Sequence, residues 1–210
     1  MMARRTTTCS GTHWLCAWQV ALRLSALFAL LAAAPASAGE AGSLKAGVFD
    51  PPRQAPDFTL QGTDGRELKI SRFRGKVVLL AFGFTSCPEV CPTTLATLAQ
   101  ARRALGAAAA DVQVLYVTVD PQRDVPERLG NYLAVFDPTF IGGTGADAQL
   151  FEVRKQYGVT AERRTYGSDY VYVHSSFIYL IDRKGLLRAL MPYGHSPEDF
   201  SHDLTILLKE

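Results

Sequence analysis

The sequence predicts an α/β fold: a central mixed β-sheet flanked by helices, with a β-hairpin on its N-terminal side. Three observations carry this. Residues 77–84 and 112–119 are almost wholly apolar, as strands covered on both faces are. Between them, residues 93–105 place Leu95, Leu98 and Leu105 at helical intervals and supply the crossover of a parallel βαβ unit. Towards the end, strand patterns at 172–182 and 186–191 flank Arg183-Lys184-Gly185 and lead into an amphipathic helix at 197–208. Elements in this order pack as a mixed sheet between helices. A chain of 210 residues, 48% hydrophobic and without internal repeats, has room for one well-buried domain plus an extension.

The extension comes first. Residues 1–38 carry Arg4, Arg5 and Arg23 as their only charges, then an apolar run at 24–34, and Ala36-Ser37-Ala38 has the small-x-small pattern a signal peptidase accepts. The run is shorter than the roughly 20 residues of a bilayer span, so the segment reads as an export signal. Trp14 and Trp18 suit a membrane interface and make an uncleaved anchor the alternative. Either way the protein is expected to be exported, to the periplasm, with membrane contact only through this segment. Three of the 22 basic and none of the 20 acidic residues fall in it, so the remainder is about neutral and nucleic-acid binding is disfavoured.

Residues 39–56, rich in Gly, Ala and Pro and without periodicity, predict a flexible leader, and the folded domain is expected over 57–210. Strand patterns at 58–60 and 67–70 around Asp64-Gly65 predict the hairpin. Pro126 opens a second helix over 125–136, ended by Asp137-Pro138, and residues 146–157 make a third. Gly142-Gly143-Thr144-Gly145 lacks the Lys-Ser/Thr that follows in a phosphate loop and reads as a flexible turn. Asp120-Pro121 ends the second buried strand in a turn, where Arg123 and Asp124 are expected to pair in a structural role.

The chemistry concentrates in two cysteines. Cys9 and Cys16 lie in the targeting segment, whereas Cys87 and Cys91 follow directly on the strand at 77–84, the end at which ligands gather in parallel sheets. One close pair is too little for a disulfide scaffold, so redox or metal chemistry is the better reading. If the segment is already helical, both sulfurs share one face within disulfide range; if Pro92 takes the first helical position, the loop runs through Cys91. In both cases the positive helix end stabilises thiolate. Two thiolates suit soft Cu(I) and serve equally as a dithiol/disulfide couple, so a third ligand would decide. His13 lies in the targeting segment, and His195 and His202 read as solvated residues. His174 interrupts a strand-like run at 170–179 where Val or Thr would fit better.

The stretch Thr85-Ser86-Cys87-Pro88-Glu89-Val90-Cys91-Pro92-Thr93-Thr94-Leu95, then Val117-Thr118-Val119-Asp120-Pro121-Gln122-Arg123-Asp124, then His174-Ser175 ahead of Tyr179-Leu180-Ile181-Asp182, resembles the Sco/SenC family from about Asp57 to the C-terminus. The resemblance implies a thioredoxin-like fold that binds one copper ion, Cu(I) or Cu(II), through Cys87, Cys91 and His174. It implies assembly of the binuclear copper site of cytochrome c oxidase, as a metallochaperone, as a reductant of that site's cysteines, or both. The copper-site subunit of the oxidase would be the partner, with other copper chaperones or thiol reductants as further ones. Val173 stands where the family usually carries an acidic residue before the histidine, which bears on the orientation of His174; Asp169 is the nearby acid that would substitute. The rival function is a metal-independent thioredoxin-like thiol:disulfide oxidoreductase, which needs Cys87 and Cys91 but not His174. Ala55-Pro56-Asp57-Phe58 resembles the opening of a peroxiredoxin-type peroxidase, but the Thr three residues before that enzyme's cysteine is here Phe84.

Overall fold

The computed structural model describes residues 43–210; residues 1–38, read above as a targeting segment and carrying His13, Cys9 and Cys16, lie outside the described residues. Among the described residues no helix is long and apolar enough to cross a membrane.

The two apolar runs form β4 (Val77–Gly83) and β5 (Val112–Thr118), buried at every position and paired in parallel from Val77 opposite Val112 to Gly83 opposite Thr118. The intervening helix α1 (Val90–Ala104) buries Leu95, Leu98 and Ala101, and packs on α4 (Pro197–Lys209). Helix α4 opens with Pro197 at its first position and Ser196 as its cap, whose hydroxyl accepts from the Asp199 N–H at 3.3 Å. Helices α2 (Pro126–Ala134) and α3 (Asp147–Tyr157) fall where the sequence places them.

Beside β4 on its other edge runs β9 (Phe177–Ile181), antiparallel, followed by β10 (Leu186–Pro192) and β1 (Gly47–Gln54). Beyond β5 come β6 (Ile141–Thr144), then the predicted hairpin of β2 (Leu60–Gly62) and β3 (Glu67–Leu68) around Asp64-Gly65. The sheet therefore reads β1-β10-β9-β4-β5-β6-β2-β3, mixed and with its parallel strands at the centre.

Two expectations are corrected here. Most of the supposed leader at 39–56 is structured, because β1 pairs along β10 and the buried Asp203 carboxylate of α4 accepts from the N–H groups of Lys45 (2.7 Å) and Ala46 (2.9 Å). Pro51 and Pro52 sit where the β1 register shifts between Val48 and Arg53, which an edge strand tolerates because its outer N–H groups have no ladder to complete. The Gly142-Gly143 stretch is not a flexible turn but part of β6. Its glycines permit close packing: a Cβ at Gly142 would stand 2.7 Å from Leu129 carbons, and one at Gly143 would strike Leu68.

The strand pattern at 172–182 is also two strands. Residues Ala161–Tyr166 (β7) and Asp169–His174 (β8) make a separate two-stranded hairpin, from Tyr166 opposite Asp169 to Ala161 opposite His174. After Ser175-Ser176 the chain enters the main sheet as β9. His174 thus ends a hairpin that shares no ladder with the sheet bearing the cysteines.

Candidate metal centre

Beyond Gly83 the chain turns through Phe84-Thr85-Ser86-Cys87, closed by the Cys87 N–H donating to the Phe84 carbonyl at 3.3 Å. Neither helix start weighed from the sequence, at Cys87 or at Pro92, is met: α1 begins between them at Val90, so Cys87 stays in the loop and Cys91 lies in the first turn. Pro92 fits there because N–H groups of a first turn have no intrahelical partner to lose. Cys91 is buried, Cys87 is partly exposed, and the two sulfurs are unbonded. The Cys91 N–H donates to Cys87 Sγ at 3.4 Å, so the outer sulfur caps the helix N-terminus.

This geometry separates the two thiols. Hydrogen bonding from the Cys91 thiol, against opposing burial and with help from the Cys91 and Glu89 N–H groups, lowers the Cys87 pKa to about 5. The same hydrogen bond and burial push Cys91 up, so the pair holds one proton, on the inner sulfur. In the reduced protein near neutral pH, iodoacetamide should therefore modify Cys87 and spare Cys91, and the rate should fall as the pH drops through about 5 and the thiolate is protonated. Mass spectrometry of quenched time points checks this; preferential labelling of Cys91 would contradict the assignment.

His174 faces the inner sulfur, with Nε2 3.6 Å from Cys91 Sγ. Its Nδ1 lies 2.9 Å from the Ser175 carbonyl oxygen, which can only accept, so Nδ1 carries the proton and Nε2 turns its lone pair to the sulfur. The Phe84 ring meets the imidazole edge to face, centroids 5.9 Å apart at 77°. These contacts orient the ring without an acidic neighbour. Alternation along β8 sends Val173 to the face opposite His174, where it is 49% exposed, and Asp169 sits at the far end of the hairpin, bound to Arg123 at 3.4 Å rather than to the imidazole. Asp169, the nearby acid weighed as a substitute, therefore does not take the place of the missing one. His195 and His202 bond to Asp199 and Asp203, and neither hydrogen-bonds to a cysteine.

Cys91 is the centre of the trio, in contact with both other side chains. Among the described residues no three of His, Cys, Asp and Glu stand as a closed metal cluster, so the trio is an open arrangement. Its donors, two sulfurs and a lone-pair nitrogen, are nonetheless the set that a soft or borderline ion such as copper takes.

The expected pairing of Arg123 with Asp124 is absent because each has a separate task. Asp124, fully buried, accepts from the Thr85 N–H (3.0 Å), the Thr85 hydroxyl (2.6 Å) and the Thr118 hydroxyl (2.6 Å), tying the cysteine loop to the end of β5. Arg128 of α2 adds bonds to Thr85 Oγ1 and Ser86 Oγ, both at 2.9 Å. Asp124→Ala strands one buried and two partly buried donors and is expected to cost about 3 kcal/mol of stability, measurable by urea unfolding; a loss under about 1 kcal/mol would show the loop to be held otherwise. Arg123 pairs with Asp120 and reaches the hairpin, donating to the Tyr170 carbonyl at 3.1 Å. Arg123 and Arg163 both stack on the Tyr170 ring, 3.9 and 3.7 Å from its centroid, while the Tyr170 hydroxyl donates to Asp120 at 2.9 Å.

Sequence reasoning did not single out Gly83 or Tyr116. A Cβ at Gly83 would collide with the Tyr116 hydroxyl and stand 2.8 Å from Cys91 Sγ, so only glycine admits both groups there. The available signal was a lone Gly at the end of a buried strand, immediately before the cysteine loop.

Taken together, the fold and site define a thioredoxin-like protein in which a dithiol at a strand–helix junction is overlain by a histidine from an added hairpin. The chain belongs to the SCO1/SenC family, whose profile matches residues 49–209. It is 38% identical over 133 residues to a SCO2-like protein of Rickettsia conorii, a match covering 61% of this chain and 64% of that relative. The chain thus spans a little under two thirds of that protein's length. Its fold superposes on Bradyrhizobium japonicum ScoI with copper bound, at 35% identity and a TM-score of 0.68, covering 74% of this chain and 99% of that one. It also resembles BsSco, described as having a disulfide switch and belonging to the Sco family of cytochrome c oxidase assembly proteins, at 25% identity and a TM-score of 0.61, covering 75% and 95% of the two chains.

Proposed function

We propose that this chain is an exported copper-binding assembly factor for the binuclear copper site of cytochrome c oxidase, and that Cys87, Cys91 and His174 hold its copper. The observation that carries this reading is the approach of His174 Nε2 to Cys91 Sγ at 3.6 Å with Nδ1 engaged at Ser175. A dithiol exchanger needs no imidazole lone pair beside its buried sulfur, whereas copper cargo, Cu(II) above all, gains a nitrogen donor from it. Copper bound to the Bradyrhizobium relative and the oxidase-assembly role given for BsSco support the same reading. The charge pattern of residues 1–38 supports export to the periplasm, by cleaved signal or retained anchor.

A second reading, thiol reductant of the target site, is favoured by the thiolate and thiol characters of Cys87 and Cys91. The Cys87 thiolate would attack a partner disulfide and expel one partner sulfur, which takes up a proton. Cys91, surrendering its own proton, would then displace the second partner sulfur, leaving a partner dithiol and a Cys87–Cys91 disulfide.

Anaerobic titration of the reduced protein with Cu(I), and separately with Cu(II), tests the first reading. About one ion of either state should bind per chain, with a thiolate-to-Cu(II) absorption band. Binding no tighter than that of an unfolded peptide would leave the exchange reaction as the better account.

A further inference from the structure

The least satisfied group near the trio is the hydroxyl of Tyr116. Tyr116 lies in the middle of β5, 1% exposed, and its hydroxyl oxygen is buried with no hydrogen-bond partner. Buried hydroxyls nearly always find a partner, so one that has none marks a strained position or an absent ligand. The notch left by the missing side chain of Gly83 places this hydroxyl beside Cys91 Sγ, and Tyr116, Cys91 and His174 line one small cavity. A neutral thiol is a weak acceptor and offers the phenol little. A Cys91 thiolate, the form that holds a metal ion, is a strong one.

We propose that Tyr116 is a positioning residue that donates a hydrogen bond to Cys91 Sγ when that sulfur is a metal-bound thiolate, and so tunes the copper held there. This rests on the copper reading above. A hydrogen bond withdraws electron density from the thiolate, which weakens its donation to Cu(II), raises the energy of the sulfur-to-copper transition and favours Cu(I). Without copper the same hydroxyl faces only the weakly accepting Cys91 thiol.

The test compares the full chain with its Tyr116→Phe variant, which keeps the ring and removes only the oxygen. In the variant the thiolate-to-Cu(II) band should move to longer wavelength and Cu(II) should bind roughly tenfold more tightly relative to Cu(I), with stoichiometry unchanged. The copper-free variant should unfold at the same temperature as the wild type or higher, whereas a hydroxyl with a merely structural role would lower that temperature and leave the band in place. An unmoved band and an unchanged Cu(II)/Cu(I) preference in a variant that binds copper overturn the role of Tyr116 and leave the copper reading standing. A wild-type chain that takes up no copper overturns both. Should Tyr116→Phe fold poorly, the hydroxyl is a structural group and the proposal is overturned.

Discussion

Replacing Cys87 and Cys91 together by serine is expected to remove copper binding altogether within the range where the wild-type chain binds about one ion. Serine keeps the size of each side chain but offers a hard, protonated oxygen in place of a polarisable thiolate. Loss of one partner in the shell outside a metal's ligands already costs about 10–100-fold in affinity, so loss of both sulfurs should exceed about a thousandfold. The fold should survive, since neither sulfur is bonded to another and the cysteine loop is held instead by Asp124 and Arg128. Circular dichroism establishes the fold, and equilibrium dialysis against a competing Cu(I) chelator measures the loss. Wild-type affinity in the folded double variant would place the copper elsewhere.

His174→Ala should separate the two proposed activities. Cu(II) prefers nitrogen with sulfur in a tetragonal arrangement, so its affinity should fall by about 100-fold or more and the charge-transfer band should disappear; Cu(I), content with two thiolates, should weaken less. The disulfide's reducibility should change little, because hydrogen bonding from Cys91, not the imidazole, is the main influence holding Cys87 as a thiolate. Paired copper titrations and glutathione equilibria read both quantities on one preparation. Unaltered binding of both copper states would remove His174 from the ligand set and favour metal-independent exchange.

Much of this site was legible in the sequence because its determinants are local. The run from Val77 into the cysteine loop fixes where the dithiol sits, and the apolar strands, helix starts and Asp64-Gly65 hairpin follow from periodicity and turn chemistry. What escaped depends on contacts distant in sequence. Residues 47–54 look like a linker until Asp203, far along the chain, grips the residues just ahead of them. The split of 172–182 into two strands was missed although the polar His174-Ser175-Ser176 interrupts its apolar pattern, and so was the β7–β8 hairpin, although Tyr166-Gly167-Ser168-Asp169 carries a two-residue hairpin signal with Gly167 at φ +61°. Asp124 could not be assigned to Thr85 and Thr118 from a motif in which Arg123 is its neighbour. Tyr116 gave no signal at all, being one more aromatic residue in a buried strand.

The separateness of the β7–β8 hairpin bears on how long an ion held by the trio would stay. Two donors belong to the strand–helix junction at the heart of the sheet, which opens only when the whole domain does. The third rides on an appendage fastened through Tyr170 and Arg123, and such an attachment can open locally at a small fraction of the global cost. Residence time and thermal endurance are therefore governed by different parts of the molecule: a domain that resists heat can still be a quick exchanger, surrendering its nitrogen donor first and its cargo, sulfur by sulfur, afterwards.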